Sequence, residues 1–554
     1  MEKRTIIAFA LSFLILLMWS YFFTPKQEPA PPQKAEPLSQ EQRQKPDPVK
    51  TPEMRPGRAE PAGQTTPIKK AKVSEKEIQV ETPLYKAIFT NRGATIKSIR
   101  LKNYHLTTDP NSPLIELIDV GESGEDFFQI NFEGPAGQNN SEMIYQVNED
   151  SIALGPESQP RDLVFTGTTA GGLSVKKVFR FYQEGYHIDL AFTLSNNTPQ
   201  QVEGQLKCVL NNLPPSGKKS YYSFVGAALL LDKELEEFDT GDLEEKQLLS
   251  GKIGWVAYED DYFIRAIIPE NRSNGTFRGH QLPSGIIAAT YLTPTISLKG
   301  HEQATSRFTL FLGPRDLNIL KNLGKDLDIA INFGFTDILA KPLLYSLRFF
   351  YSYVKNYGVA IIILTILVKL IFWLPSRKSY KSMKEMQKLQ PHMAKIREKY
   401  KDNKEQMNKE IMALYKTYKV NPMGGCWPML IQMPVFFALF RVLGNSIELR
   451  HAPFLLWMND LSAPDRLFSL PFSIPFMSPP YGIPVLTLFM GASMFIQQKM
   501  TPTPGDPAQA KIMLLMPVIF TVMFINFPSG LVLYWLINNC LSIGQQYLIK
   551  RSAD

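Results

Sequence analysis

The signatures of catalysis are missing from this chain. Only three cysteines occur in 554 residues, Cys208, Cys426 and Cys540. They lie far apart and form no CxxC pair, so neither a disulfide framework nor a zinc site is indicated. The six histidines, His105, His187, His280, His301, His392 and His451, are scattered, and none falls inside a long apolar run. No HExxH, GxSxG, GxGxxG or Walker motif is present, which argues against metalloprotease, serine hydrolase, dinucleotide and ATP chemistry. An internal repeat is also absent, and transporters usually show paired repeats with broken helices. An enzyme is therefore not expected, and no cofactor or metal is implied.

What the chain does have is two kinds of sequence. Hydrophobic residues make up 44%, yet mean hydropathy is close to neutral. That mixture predicts membrane segments joined to a sizeable water-soluble part. Net charge is +8, and its location matters more than its sum.

Residues 1–23 read as a short charged start followed by an apolar run long enough to cross a bilayer. No A-x-A-like site follows it directly, so an uncleaved signal anchor is expected rather than a cleaved signal peptide. Lys3 and Arg4 then stay in the cytoplasm. Residues 24–72 are rich in Pro, Gln, Glu and Lys and predict a disordered tether. From 73 to 315, stretches such as "VKKVFRFYQEGYHIDLAFTLSNN" alternate apolar and polar residues. Period two with β-branched and aromatic residues predicts half-buried strands, and so many of them predict one large β-sandwich. The acidic run Glu259, Asp260, Asp261 is expected to be a solvated turn of that domain.

Residues 335–355 place Lys341, Arg348 and Lys355 on one stripe, with Ile338, Leu344, Leu347, Tyr351 and Val354 on other sides. This predicts an amphipathic helix in the membrane interface. Apolar spans are expected at about 357–374, 429–443, 483–497, 512–526 and 529–548. With the N-terminal anchor, this predicts a polytopic α-helical membrane protein of six spans carrying a β domain. The basic stretches 376–420, 499–511 and 550–554 all fall on the cytoplasmic side in one orientation. Within 376–420, Met383, Met386, Met393, Ile396 and Tyr400, then Met407, Ile411, Leu414 and Tyr418, predict a helical hairpin. Its basic faces suit anionic headgroups or ribosomal RNA, or simply set topology.

One residue breaks the oil. Lys369 sits inside "AIIILTILVKLIFWLP". A lysine at a bilayer centre costs ~2.5–3.5 kcal/mol. Snorkelling over roughly 9 Å of helix to the inner edge is one explanation. Other polar groups supply another: Thr365 one turn earlier, Gln432 in "MLIQMPVFFALF", and Tyr534, Asn538 and Asn539 in "SGLVLYWLINNC". Together with Lys369 they can line one wet cavity. Lys369 as the counter-charge of a transported solute is the alternative function.

The stretches "KVNPMGGCWPMLIQMPVFFALFRVLGNSIELRHAPFLLWMNDLSAPD" and "KIMLLMPVIFTVMFINFPSGLVLYWLINNCLSIGQQYLI" closely resemble the YidC/Oxa/Alb family of membrane protein insertases. "GWVAYEDDYFIRAIIPE" resembles the periplasmic domain of its Gram-negative branch. The resemblance implies a five-helix core, here spans within 356–375 and 421–550, around a hydrophilic groove open to the cytoplasm and to lipid. Most members have arginine at the position of Lys369; the charge is kept here and the bidentate fork is lost. Thr365 matches the family's groove threonine. Tyr534 and Trp535 match a pair that is often two tyrosines. Met433, Pro434, Pro517, Val518 and Met523 match the surface along which a substrate helix slides. The family further implies nascent membrane proteins as clients, the Sec translocon, its accessory subunits and the ribosome or signal recognition pathway as partners, and the inner membrane as location. A monomer is expected, because the groove is built within one chain.

Overall fold

A computed structural model describes residues 74–551 except 122–123, 135–142, 170, 215–223, 419, 421–426 and 501–506. The expected anchor and the whole of the expected tether lie outside the described residues.

The alternating sequence does form strands. Along Leu173–Phe181 every second side chain is buried, and the same holds for His187–Asn196. The two pair antiparallel, with Phe181 opposite Ile188. Among the described residues a five-stranded and a fourteen-stranded sheet make a large β-rich domain. The strand Gln247–Glu259 organises the larger sheet. Its first half pairs with Asn274–Gln281 and its second half with Phe263–Pro269 and Gly226–Leu231. Burial changes with this switch: residues alternate up to Lys252 and are all buried from Ile253 onward. Such a strand reads as a continuous apolar run because both its faces are covered. Phe89 of the smaller sheet meets Phe179 and Phe181 of the larger at 5.1 and 5.5 Å, joining the two layers.

The acidic run is not a solvated turn. Glu259 is fully buried 3.3 Å from Arg315, and Asp260 pairs with the buried Arg265 at 2.6 Å. A buried carboxylate needs such a partner, and both arginines come from later in the chain.

Helices follow the β domain. α1 (Leu317–Leu323) is capped by Asp316, whose carboxylate accepts from Asn318 N and Ile319 N. α2 (Asp337–Val354) occupies the expected interfacial stretch. Ala340, Leu344 and Leu347 are buried, and Ile338, Tyr345, Phe349 and Tyr353 are exposed. Two of its cations are engaged in ion pairs. Lys341 pairs with Asp337, and Arg348 is taken up by Glu448 and Asp316.

Lys355 adopts a left-handed conformation and ends α2; Asn356 then caps α3 (Tyr357–Ile371). α3 stops at Phe372, short of Pro375, and bends by 64° into α4 (Trp373–Lys399). By length and composition this bent pair is long enough to cross a membrane; no single described helix passes that test. α5 (Lys404–Thr417) completes the hairpin, where Tyr415 donates to Met393 Sδ. Met393 is buried as its seam position requires, whereas Tyr418 stays exposed. The remaining helices are α6 (Trp427–Asn445), α7 (Val485–Met500), α8 (Pro507–Phe524) and α9 (Ser529–Arg551). α9 packs on α3, α6 and α7, α7 packs on α8, and α2 packs on α3 and α6. A Cβ at Gly491 would collide with the Thr521 hydroxyl, so glycine sets the closeness of α7 and α8.

Candidate functional site

Helical spacing brings the polar residues of the apolar helices together. Thr365 and Lys369 stand one turn apart on the buried face of α3. Tyr534, Asn538 and Ser542 are spaced i, i+4 on α9 and so share one face. Where these faces meet, Lys369 is only 8% exposed. Its Nζ donates to Ser542 Oγ at 2.6 Å and, at longer range, to Asn538 Oδ1 at 3.5 Å. Gln432 of α6 donates to the same Asn538 Oδ1 at 2.8 Å and to the Tyr534 hydroxyl at 3.3 Å. Asn538 therefore accepts from both sides and ties α3, α6 and α9 into one network. A second string leaves the other side of α9, where Asn539 donates to Ser493 of α7 at 3.0 Å.

The electrostatics of Lys369 are unusual. Both of its acceptors are neutral oxygens. No carboxylate pairs with it among the described residues. A buried ammonium normally acquires a counter-ion, because an uncompensated charge is costly in a medium of low dielectric. Here it is hydrogen-bonded but not neutralised.

The other expected residues separate into groups. Thr365 is buried, and its hydroxyl donates to Ile361 O of its own helix at 2.6 Å. Trp535 does not join the polar network. It packs edge-on against Phe436 at 4.8 Å and beside Phe524 at 5.1 Å, in an aromatic wall between α6, α8 and α9. Met433, Pro434, Val518 and Met523 are exposed, while Pro517 is buried. Methionine on such a surface adapts to many shapes. Ser542 was missed by the sequence reading. Its only signal was the i+4 step from Asn538, and serine in apolar helices usually bonds its own helix. It does that here too, donating to Asn538 O at 2.7 Å while accepting from Lys369.

Comparison with known proteins bears on the whole chain. The family described as 60Kd inner membrane protein matches residues 349–554, and the YidC periplasmic domain matches residues 77–346. The membrane protein insertase YidC of Syntrophus aciditrophicus is 42% identical, over 100% of both chains. That of Syntrophobacter fumaroxidans is 41% identical, also over 100% of both. A crystal structure of an active YidC insertase covers 86% of this chain and 93% of its own, with 20% identity and a TM-score of 0.37.

Proposed function

The chain belongs to the YidC family of membrane protein insertases, and we propose that it does its work through the buried cation of Lys369, which transiently holds acidic segments of a client on their way across the membrane. Insertion in this family is a non-enzymatic activity, and the inner membrane is its site. The observation that carries the reading is that Lys369 is buried and that its partners among the described residues are the neutral oxygens of Ser542 and Asn538.

A client must move a polar, often acidic, segment past hydrocarbon, and each ionised group is expensive there. A hydrophilic groove reaching partway from the cytoplasm shortens that path. Within it a positive charge in a low-dielectric wall attracts carboxylates more strongly than it would in water. The neutral oxygens keep the ammonium positioned without cancelling its field. The client's apolar helix then leaves sideways along Met433, Pro434, Val518 and Met523 and partitions into lipid, which drives the step. Pro517, buried behind that surface, shapes α8 rather than touching cargo. Both termini and the basic α4–α5 hairpin lie in the cytoplasm, where the hairpin meets ribosomes or anionic lipid. The β domain lies in the periplasm. The protein acts as a monomer, alone or beside the Sec translocon.

The test is reconstitution. Purified protein in liposomes is expected to protect the acidic tail of a small single-span client from external protease, without supporting flux of small solutes. Lys369→Arg should retain this activity and Lys369→Glu should lose it. Equal activity of the Arg, Ala and Glu variants would show that the lysine merely snorkels.

A further inference from the structure

The connection between α6 and α7 departs from the usual relation between loops and water. Residues 467–484, "LFSLPFSIPFMSPPYGIP", contain no Asp, Glu, Lys or Arg, and five of them are proline. The segment is nevertheless firmly built. Arg466 donates to Pro480 O at 2.9 Å and to Ile525 O at 2.7 Å. Asn526 accepts from Ser478 N and donates to Phe476 O, both at 2.8 Å. A Cβ at Gly482 would collide with Phe468 O, so the two arms are pressed together.

Along this connection, large apolar residues take up left-handed backbone. Leu456, Phe468 and Phe476 have φ of 58, 59 and 65°. The other non-glycine residues with positive φ are Ala, Asp, Lys or His. A left-handed conformation costs a residue with a β-carbon ~1–2 kcal/mol. The same three side chains are 85%, 72% and 81% exposed. Burying a phenylalanine or leucine is worth ~1.5–3 kcal/mol. In water the loop would thus be strained in order to lose hydrophobic stabilisation.

The second term reverses in lipid, where exposed leucine and phenylalanine side chains gain rather than lose, and that gain can offset the backbone cost. We propose that residues 467–484, with Leu456, form a rigid wedge seated at the headgroup–acyl boundary of the periplasmic leaflet. The lack of charge fits that depth. Proline has no N–H, so each one removes a donor that lipid could not satisfy. The N–H groups of Leu467, Leu470 and Ile483 are bonded within the loop. The apolar surface continues into α7, which exposes Leu488 and Phe489 in its first turns. A protein partner fits less well, because the patch offers few polar side chains to fix an orientation.

The test uses the full-length chain in liposomes, with Cys208, Cys426 and Cys540 changed to alanine. A nitroxide is placed in turn at Phe468→Cys, Phe472→Cys and Phe476→Cys. Thr108→Cys, on an exposed turn of the β domain, and Phe489→Cys serve as references. Collision with dissolved oxygen and with a water-soluble nickel chelate is measured by electron paramagnetic resonance. The loop labels are expected to show an oxygen-to-nickel ratio several-fold above that at 108 and below that at 489. A ratio equal to that at 108 would overturn the proposal. Shielding from both reagents would also overturn it, in favour of a protein partner or a second copy. A water-like reading at 489 would overturn the membrane placement of α7 and the wedge with it. A membrane-like reading there with water-like loop labels removes the wedge alone.

Discussion

Arg348 and Glu448, one hundred residues apart in sequence, meet at 3.0 Å beside Asp316. The arginine stands on α2, the glutamate follows α6, and the aspartate caps α1 at the end of the β domain. One guanidinium thus joins three parts of the chain. Arg450, two residues beyond Glu448, adds a bond to His105 O at 2.8 Å, and Tyr262 donates to Gly444 O at 3.4 Å. The β domain and the helices are connected by side chains as well as by sequence.

Removing Arg348 should therefore do more than delete one ion pair. Burial, and then the nearby charge of Asp316, push the Glu448 carboxyl up to about 7. Without Arg348 the two carboxyls are left facing each other. Arg348→Ala is expected to destabilise the protein by ~3–5 kcal/mol, the usual cost of breaking a buried pair from one side. Adding Glu448→Gln should restore part of the loss. Thermal unfolding in detergent measures both, and equal midpoints for wild type and Arg348→Ala would refute the link.

Lys177 gives a pH-dependent prediction. It sits on the inward face of Leu173–Phe181, donates to Gly93 O at 2.6 Å and lies over the Tyr145 ring. Burial lowers its pKa from 10.5 to about 7. Below 7 both folded and unfolded chains are protonated at this position, and the full cost of the buried charge is felt. Between 7 and 10.5 the unfolded chain still holds a proton that the folded one has released, so stability rises with pH, by at most ~1.4 kcal/mol per unit. Lys177→Met should flatten this contribution and stabilise the β domain at pH 7. Urea midpoints at pH 7 and 10 for the two proteins test it; a steeper pH dependence in the Met variant would contradict it.

Much of this was legible because the rules involved are local. Alternation exposes strands, and a single lysine in a long apolar run exposes itself. The misreadings share a cause in long-range pairing. Nothing near Glu259 announces Arg315, so an acidic triplet looked like a turn. Nothing near Arg348 announced Glu448, which lies so far along the chain. The bend after α3 was also hidden. The apolar run suggested a span reaching residue 374, whereas the helix ends at Ile371. Ser542 was invisible because its role depends on which helix faces it.

Gly491 predicts a packing defect. A methyl group there would press on the Thr521 hydroxyl, which is already bonded to Pro517 O at 2.7 Å. Gly491→Ala should push α7 from α8 and cost ~1–3 kcal/mol, the usual scale of overpacking. Gly491→Ala combined with Thr521→Ala should recover most of it, since the colliding atom is gone. Melting temperatures of the single and double variants decide; no recovery in the double variant would place the strain elsewhere.

The sharpest test of the uncompensated cation is to compensate it. Asn538→Asp replaces a neutral acceptor 3.5 Å from Lys369 Nζ with a carboxylate of nearly the same shape. The new pair stabilises the ammonium by more than a neutral hydrogen bond does, ~1.5 kcal/mol more, which is about tenfold in affinity. A client carboxylate must now compete with that internal partner. Insertion of a client with an acidic tail should fall about tenfold, while thermal stability holds or rises. Asn538→Leu is the contrast. It removes one of the two acceptors of Lys369 and one of the two of Gln432, so stability falls, but the positive field remains and acidic cargo is still attracted. Protease protection in liposomes, with acidic and neutral tails compared, separates these outcomes. If Asn538→Asp inserted acidic tails as well as wild type, the charge on Lys369 would not be the element that holds them.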